Sequence, residues 1–154
     1  MKTLTLLLLP ALAACATATP EATPAAAPPA APAAAAAPAG IGAGTYTSTI
    51  AAADIPAGAP ADMATGMVGE WQLVTNGSGQ AMVSYNGRQV VTAPYQVNGN
   101  EITFAANDTG EYACNAAGRY SWRISGGQLY FTKIEDTCQG RAIALTAHPW
   151  SARR

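Results

Sequence analysis

Residues 69–106 read GEWQLVTNGSGQAMVSYNGRQVVTAPYQVNGNEITFAA, and the punctuation inside that stretch decides the fold. Asn76-Gly77, Asn86-Gly87 and Asn98-Gly99 each separate two runs in which apolar and polar residues alternate. Asn and Gly tolerate the positive φ of a two-residue turn, so this pattern is the strongest short-range signature of a β-hairpin. Successive side chains of a strand point to opposite faces. Trp71 and Leu73 therefore share a face, as do Val91, Ala93, Tyr95 and Val97, and then Ile102 and Phe104. Further along, Tyr120, Trp122 and Ile124 form another such set before the Gly126-Gly127 turn. Strands are predicted near 45–52, 70–75, 80–86, 89–97, 101–106, 119–125, 128–134 and 141–147. Short strands following one another with tight turns point to an all-β fold, an eight-stranded antiparallel up-and-down barrel. Pro94 has no N–H for a ladder, so a bulge or a local edge is expected there.

In a meander the connections alternate between the two ends of the barrel. The turns at 76–79, 98–100 and 126–127 share one end, and the connections at 53–69, 86–88, 107–118 and 135–140 share the other. Cys114 and Cys138 thus fall at the same end, in loops flanking the sixth and seventh strands. An exported chain meets an oxidising compartment where there is a periplasm, which makes a Cys114–Cys138 disulfide the expectation. A metal pair has no support, since the only histidine, His148, lies in the tail and no CxxC motif occurs.

Composition divides the chain. Residues 45–154 hold all eleven Tyr, Trp and Phe residues, enough for one core, and their eight acidic and seven basic side chains are scattered. Neither a nucleic-acid partner nor a basic membrane patch is indicated. Residues 16–44 contain 15 Ala and 6 Pro with Glu21 as the only charge, a composition with little to bury. It reads as a disordered linker spanning between ~30 Å as a coil and ~90 Å fully extended.

The chain opens MKTLTLLLLPALAAC. One basic residue, an apolar run of about ten residues and small residues before a cleavage point make an export signal too short to span a bilayer. Leu12-Ala13-Ala14-Cys15 resembles the lipobox of bacterial lipoproteins; an ordinary secretory signal is the alternative, and export follows from either. The resemblance implies cleavage before Cys15, diacylglycerol on its sulfur and an acylated amino end, a multi-chain anchor in the lipid bilayer. Residues 1–14 would be the signal peptide, 15–44 the lipidated cysteine and linker, and 45–154 the barrel. Ala16, rather than Asp, after the cysteine resembles the rule for outer-membrane sorting in a Gram-negative envelope, with the domain facing the periplasm.

Gly69-Glu70-Trp71, opening a strand after a loop able to form a helical turn, is similar to the Gly-x-Trp signature of the calycins, which include the lipocalins. That resemblance implies a Trp71–Arg141 pair, with the tryptophan under a basic side chain from the last strand. A cation–π contact of this kind contributes about 0.5–2 kcal/mol. The segments Gly118-Arg119-Tyr120-Ser121-Trp122, Asp136-Thr137-Cys138-Gln139-Gly140-Arg141 and His148-Pro149-Trp150 also resemble an uncharacterised bacterial lipocalin-like domain. A strand before Gly-x-Trp and tight turns where lipocalins have wide loops set this chain apart from true lipocalins.

Catalytic chemistry finds few carriers. His148 reads as a packed or solvated tail residue, and Glu135-Asp136 as a solvated turn rather than an acid–base pair. No phosphate loop, metal-spaced cluster or serine or cysteine nucleophile with a partnered histidine is visible. A non-enzymatic monomer without cofactor or metal is expected, binding a small apolar ligand or an envelope partner. Tyr85, Tyr95, Phe104, Tyr120 and Trp122 are the candidates to line a pocket, although with strands this short they are expected to fill the barrel instead. The alternative is a protease inhibitor of the small exported β-barrel type, acting through a segment before residue 45.

Overall fold

A computed structural model describes residues 40–153. The signal peptide, Cys15 and most of the linker lie outside the described residues. The chain forms β1 (Ala43–Ile50), a short 3₁₀ turn (Ala52–Asp54), α1 (Ala61–Gly66), β2 (Gly69–Asn76), β3 (Gln80–Tyr85), β4 (Arg88–Asn98) and β5 (Glu101–Phe104). It continues as β6 (Gly118–Ser125), β7 (Gln128–Asp136), α2 (Gln139–Thr146) and β8 (Trp150–Ala152). The eight strands pair antiparallel in sequence order and close into a barrel.

The turns behave as their residues require. Asn86 and Gly87 both take positive φ, +47° and +79°, the mirror-image turn whose twist matches that of the strands it joins. At Pro94 the expected edge is present. Its carbonyl accepts from Ala105 N, but β4–β5 pairing ends one step away at Tyr95 and Phe104. The missing N–H therefore sits where the partner strand is leaving. The bulge lies instead across from Val83 and Ser84, which pair with Val91 and Gln89 and leave Val90 as the extra residue. That residue is buried, its carbonyl accepting from Tyr112 N in the loop above.

Three expectations need correction. The segment predicted as the eighth strand, 141–147, is the helix α2. Its alternating Ala142-Ile143-Ala144-Leu145 satisfies a strand pattern only if alanine counts for neither face, and here all four are buried together. Alanine and leucine are strong helix formers, which favours the helix. The closing strand is β8, whose Trp150 is 1% exposed and whose indole N–H donates to Leu145 O. Ile124, expected inside with Tyr120 and Trp122, is 46% exposed because it stands at the rim beside the Gly126-Gly127 turn. Finally, the folded unit begins before residue 45, since β1 starts at Ala43 and Ile41 is 2% exposed. Ile41 stoppers the end of the barrel that carries the tight turns. There Tyr95 Oη donates to Ile41 O at 3.4 Å and Thr75 Oγ1 to Gly42 O at 2.7 Å.

The aromatic residues in ring contact form two groups, Trp71 with Tyr85 and Tyr112, and a second group from β4 to β7. Tyr95, Phe104, Tyr120 and Phe131 pack with ring centroids 6.0–6.4 Å apart, two of the contacts edge-on. Such tilted arrangements suit the ring quadrupoles and add to the area they bury.

Candidate functional site

At the opposite end, where the long connections gather, the barrel is not filled. A cavity of about 390 Å³ lies inside it, walled by Leu73, Val83, Val91, Ala93 and Phe104 from the strands. Met63 and Met67 from α1 and its C-terminal cap, together with Ala144 and Leu145 from α2, add to the apolar wall; Cys114, Cys138 and Tyr112 lie at the loop side. Val83 and Ala93 are small side chains in its wall. Small-molecule sites commonly occupy 300–1,000 Å³ and are mostly apolar with a few placed polar groups. This cavity meets that description, contrary to the expectation of a filled barrel.

Of the five aromatic candidates, Phe104 lines the cavity. Tyr85 instead stacks on Trp71 at 4.9 Å and donates its hydroxyl to Val68 O. Tyr95 reaches toward the stoppered end, Tyr120 donates to Asp136, and Trp122 is buried outside the lining. Trp71 does line it, with its indole N–H held by Met67 O at 2.8 Å.

The charged residues of the lining are Asp62, Asp108 and Arg141, and Arg141 is the centre of a buried ion cluster. Its Nε and Nη2 donate to the two oxygens of Asp136 at 2.7 and 3.0 Å, and Nη2 also donates to Ala116 O at 2.6 Å. Nη1 lies 3.6 Å from Asp108 Oδ2. Both carboxylates are essentially inaccessible, 0% exposed at Asp136 and 1% at Asp108. Each also accepts from a cysteine amide, Asp136 from Cys138 N at 2.7 Å and Asp108 from Cys114 N at 3.0 Å. Arg141 thus ties together the two loops that the cysteines join. Cys114 and Cys138 have Cα atoms 5.8 Å apart, at disulfide distance as expected.

Burial alone would raise the Asp136 pKa. Hydrogen bonds from Arg141, Tyr120 and Cys138 N outweigh it and hold the carboxyl below its ordinary value. Tyr120 is pushed well upward, first by burial and then by its bond to the Asp136 carboxylate.

Arg141 lies in a helix rather than in the last strand. It shares the cavity lining with Trp71, but its guanidinium is committed to Asp136, Asp108 and Ala116 O. The cation–π stack found among the described residues is a different one, Arg123 over Tyr130 at 3.9 Å. Asp136 is likewise not the solvated turn residue expected from Glu135-Asp136. Glu135 is exposed opposite Arg119, whereas Asp136 is sealed in. His148 is half-exposed and pairs with Asp54 at 2.7 Å. Sequence reasoning missed Asp108, hidden in a turn-like Asn-Asp-Thr-Gly run. Comparison of the chain with protein-family models, with curated proteins and with solved structures finds no match.

Proposed function

We propose that this protein is a non-enzymatic binding protein of the bacterial cell envelope that takes a small apolar molecule into the cavity beneath α1 and α2. The observation that carries the reading is the cavity itself, about 390 Å³ with a mostly apolar wall. At the ~30 Å³ that a water molecule occupies in the liquid, the space equals about a dozen waters. The leader supplies the location. An acylated Cys15 anchors the barrel to a membrane, the outer membrane facing the periplasm, and residues 16–39 space it from the bilayer. The protease-inhibitor alternative rests on an arm before residue 45, and Ile41 and Gly42 of that arm are engaged with the barrel itself.

Mass spectrometry of the protein purified natively from its host tests the reading, with a co-purified small molecule as the expected result. Val83→Phe, which adds a ring at the cavity wall, should lose that molecule at a cost in the low half of the ~1–3 kcal/mol of small-to-large changes, because the cavity leaves room for it. A host molecule that survives the substitution would place binding elsewhere.

A further inference from the structure

The wall of the cavity is mostly apolar, but the charges that stand around it do not balance. Helix α1 turns one face to it: Asp62 and Gly66, and Met63 with Met67 at the helix cap, are pairs four residues apart that line the cavity together. Ala61 and Thr65 are exposed and lie outside the lining. A helix over apolar space ordinarily carries its charge on the outer face. Here a carboxylate stands on the inner one. Asp62 is exposed as well as part of the lining, which puts it where the cavity meets water. It forms no ion pair among the described residues.

The surroundings of Asp62 select the charge of a ligand. A Cβ on Gly66, one turn along, would stand 3.7 Å from Tyr112 Oη, so this tyrosine lies against the face of α1 that carries Asp62. Tyr112 is half-buried, lines the cavity and packs at 6.1 Å from Trp71 and 6.0 Å from Tyr85. Aromatic rings attract a cation brought over their faces. Deeper in, Asp108 and Asp136 outnumber Arg141 by one charge; the group is closed to a ligand, but its net negative field is buried and therefore weakly screened. Glu111, next to Tyr112 in the chain, is cancelled by its ion pair with Arg88.

A carboxylate or phosphate head would meet like charge both at the mouth and behind it. A neutral head gains from Asp62 only a hydrogen bond that water already supplies. An ammonium head pairs with Asp62 while it stays wet, and its apolar chain fills the cavity, so no charge has to be buried. Resting on the reading of the cavity as a binding site, we propose that the ligand is a cationic amphiphile, an apolar chain inside the barrel with an ammonium head held at the mouth by Asp62 beside Tyr112.

The test uses the purified full-length chain and three ten-carbon probes: decylammonium, decan-1-ol and decanoate. Two of the three tryptophans, Trp71 and Trp150, line the cavity, so indole fluorescence reports entry. At pH 7 an amine near ~10.4 and a carboxyl near ~4.3 are both charged. An exposed ion pair shifts an equilibrium by up to about fivefold, and the same carboxylate repels an anion. Decylammonium is therefore expected to bind about tenfold or more tighter than decanoate, with decan-1-ol between them. Asp62→Asn should cut the ratio of decylammonium to decanoate affinity about fivefold or more. A second arm keeps the native protein and raises the salt from about 0.02 to about 0.5 M, shortening the screening length from roughly 20 Å to about 4 Å. The same ratio should narrow there. Decanoate binding as tightly as decylammonium, or a ratio that neither Asp62→Asn nor salt changes, overturns the inference and leaves the cavity a binding site. Failure of all three probes to bind overturns the binding reading, and the inference with it.

Discussion

The two ends of the barrel solve opposite problems. At the turn end, connections of two or three residues join the strands, Ile41 is buried, and the carbonyls of Ile41 and Gly42 accept from Tyr95 and Thr75. At the loop end the chain uses long connections, two helices, a cysteine pair and a buried ion cluster, yet leaves about 390 Å³ empty. A barrel needs only the first kind of end to be stable. The charge buried and the space left open at the second make it the end where binding chemistry is to be sought.

If the loop end depends on its charges, Arg141→Ala should produce the largest loss. The substitution leaves Asp136 and Asp108 buried without their cation, for which about 3–5 kcal/mol is expected, measured by urea unfolding at neutral pH. A loss below 1 kcal/mol would mean that water reaches the carboxylates and that the end is looser than described. Next in size is the cysteine pair. The two residues are 24 apart in sequence, and closing a loop of that length stabilises by about 3–4 kcal/mol in the chain-entropy model. Replacing both by serine should lower stability by that amount.

The turn end offers the contrasting case. Ile41→Ala removes a fully buried side chain, and large-to-small changes of this kind cost about 2–5 kcal/mol; the low half of that range is expected because the stopper lies at the edge of the core. Binding of a small apolar probe at the loop end should be unchanged in whatever fraction stays folded. A loss of binding would show that the two ends communicate.

The same contrast explains what the sequence made legible. The strands from β1 to β7 were readable because Asn-Gly and Gly-Gly turns and period-two alternation are local signals, and those signals set the whole turn end except its stopper. Ile41 was missed because a lone isoleucine in an Ala/Pro/Gly context carries no periodicity. The loop end is built from contacts distant in sequence. Asp108, Asp136 and Arg141 meet only after the barrel closes, and before that an Asp-Thr-Gly run or an Ile-Glu-Asp strand end looks like any solvated turn. Helix α2 was read as a strand because alanines fit either period. The cavity could not be read from the aromatic count, since its walls come from strands, both helices and loops that meet only in the closed barrel.

The smallest effect is read as a slope. Asp136 titrates below its ordinary value of 3.8 in the folded chain, so in that region the unfolded chain binds more protons than the folded one. The stability it contributes is fully present above about pH 4 and is lost as acid carries the pH down through the lower, folded value. Asp54, through hydrogen bonds from Ala51 N and His148, and Glu111, through Arg88, are also held low, so a bare acid-unfolding curve mixes three carboxyls. The difference between the native chain and Asp136→Asn isolates one. That difference in unfolding free energy should be constant from pH 7 to about 4.5 and shrink below pH 4, whereas the difference between the native chain and Ile41→Ala should stay flat throughout. A native-to-Asn gap that does not narrow in acid would mean that Asp136 is held by shape alone, and the loop end would then owe its order to the cysteine pair rather than to its charges.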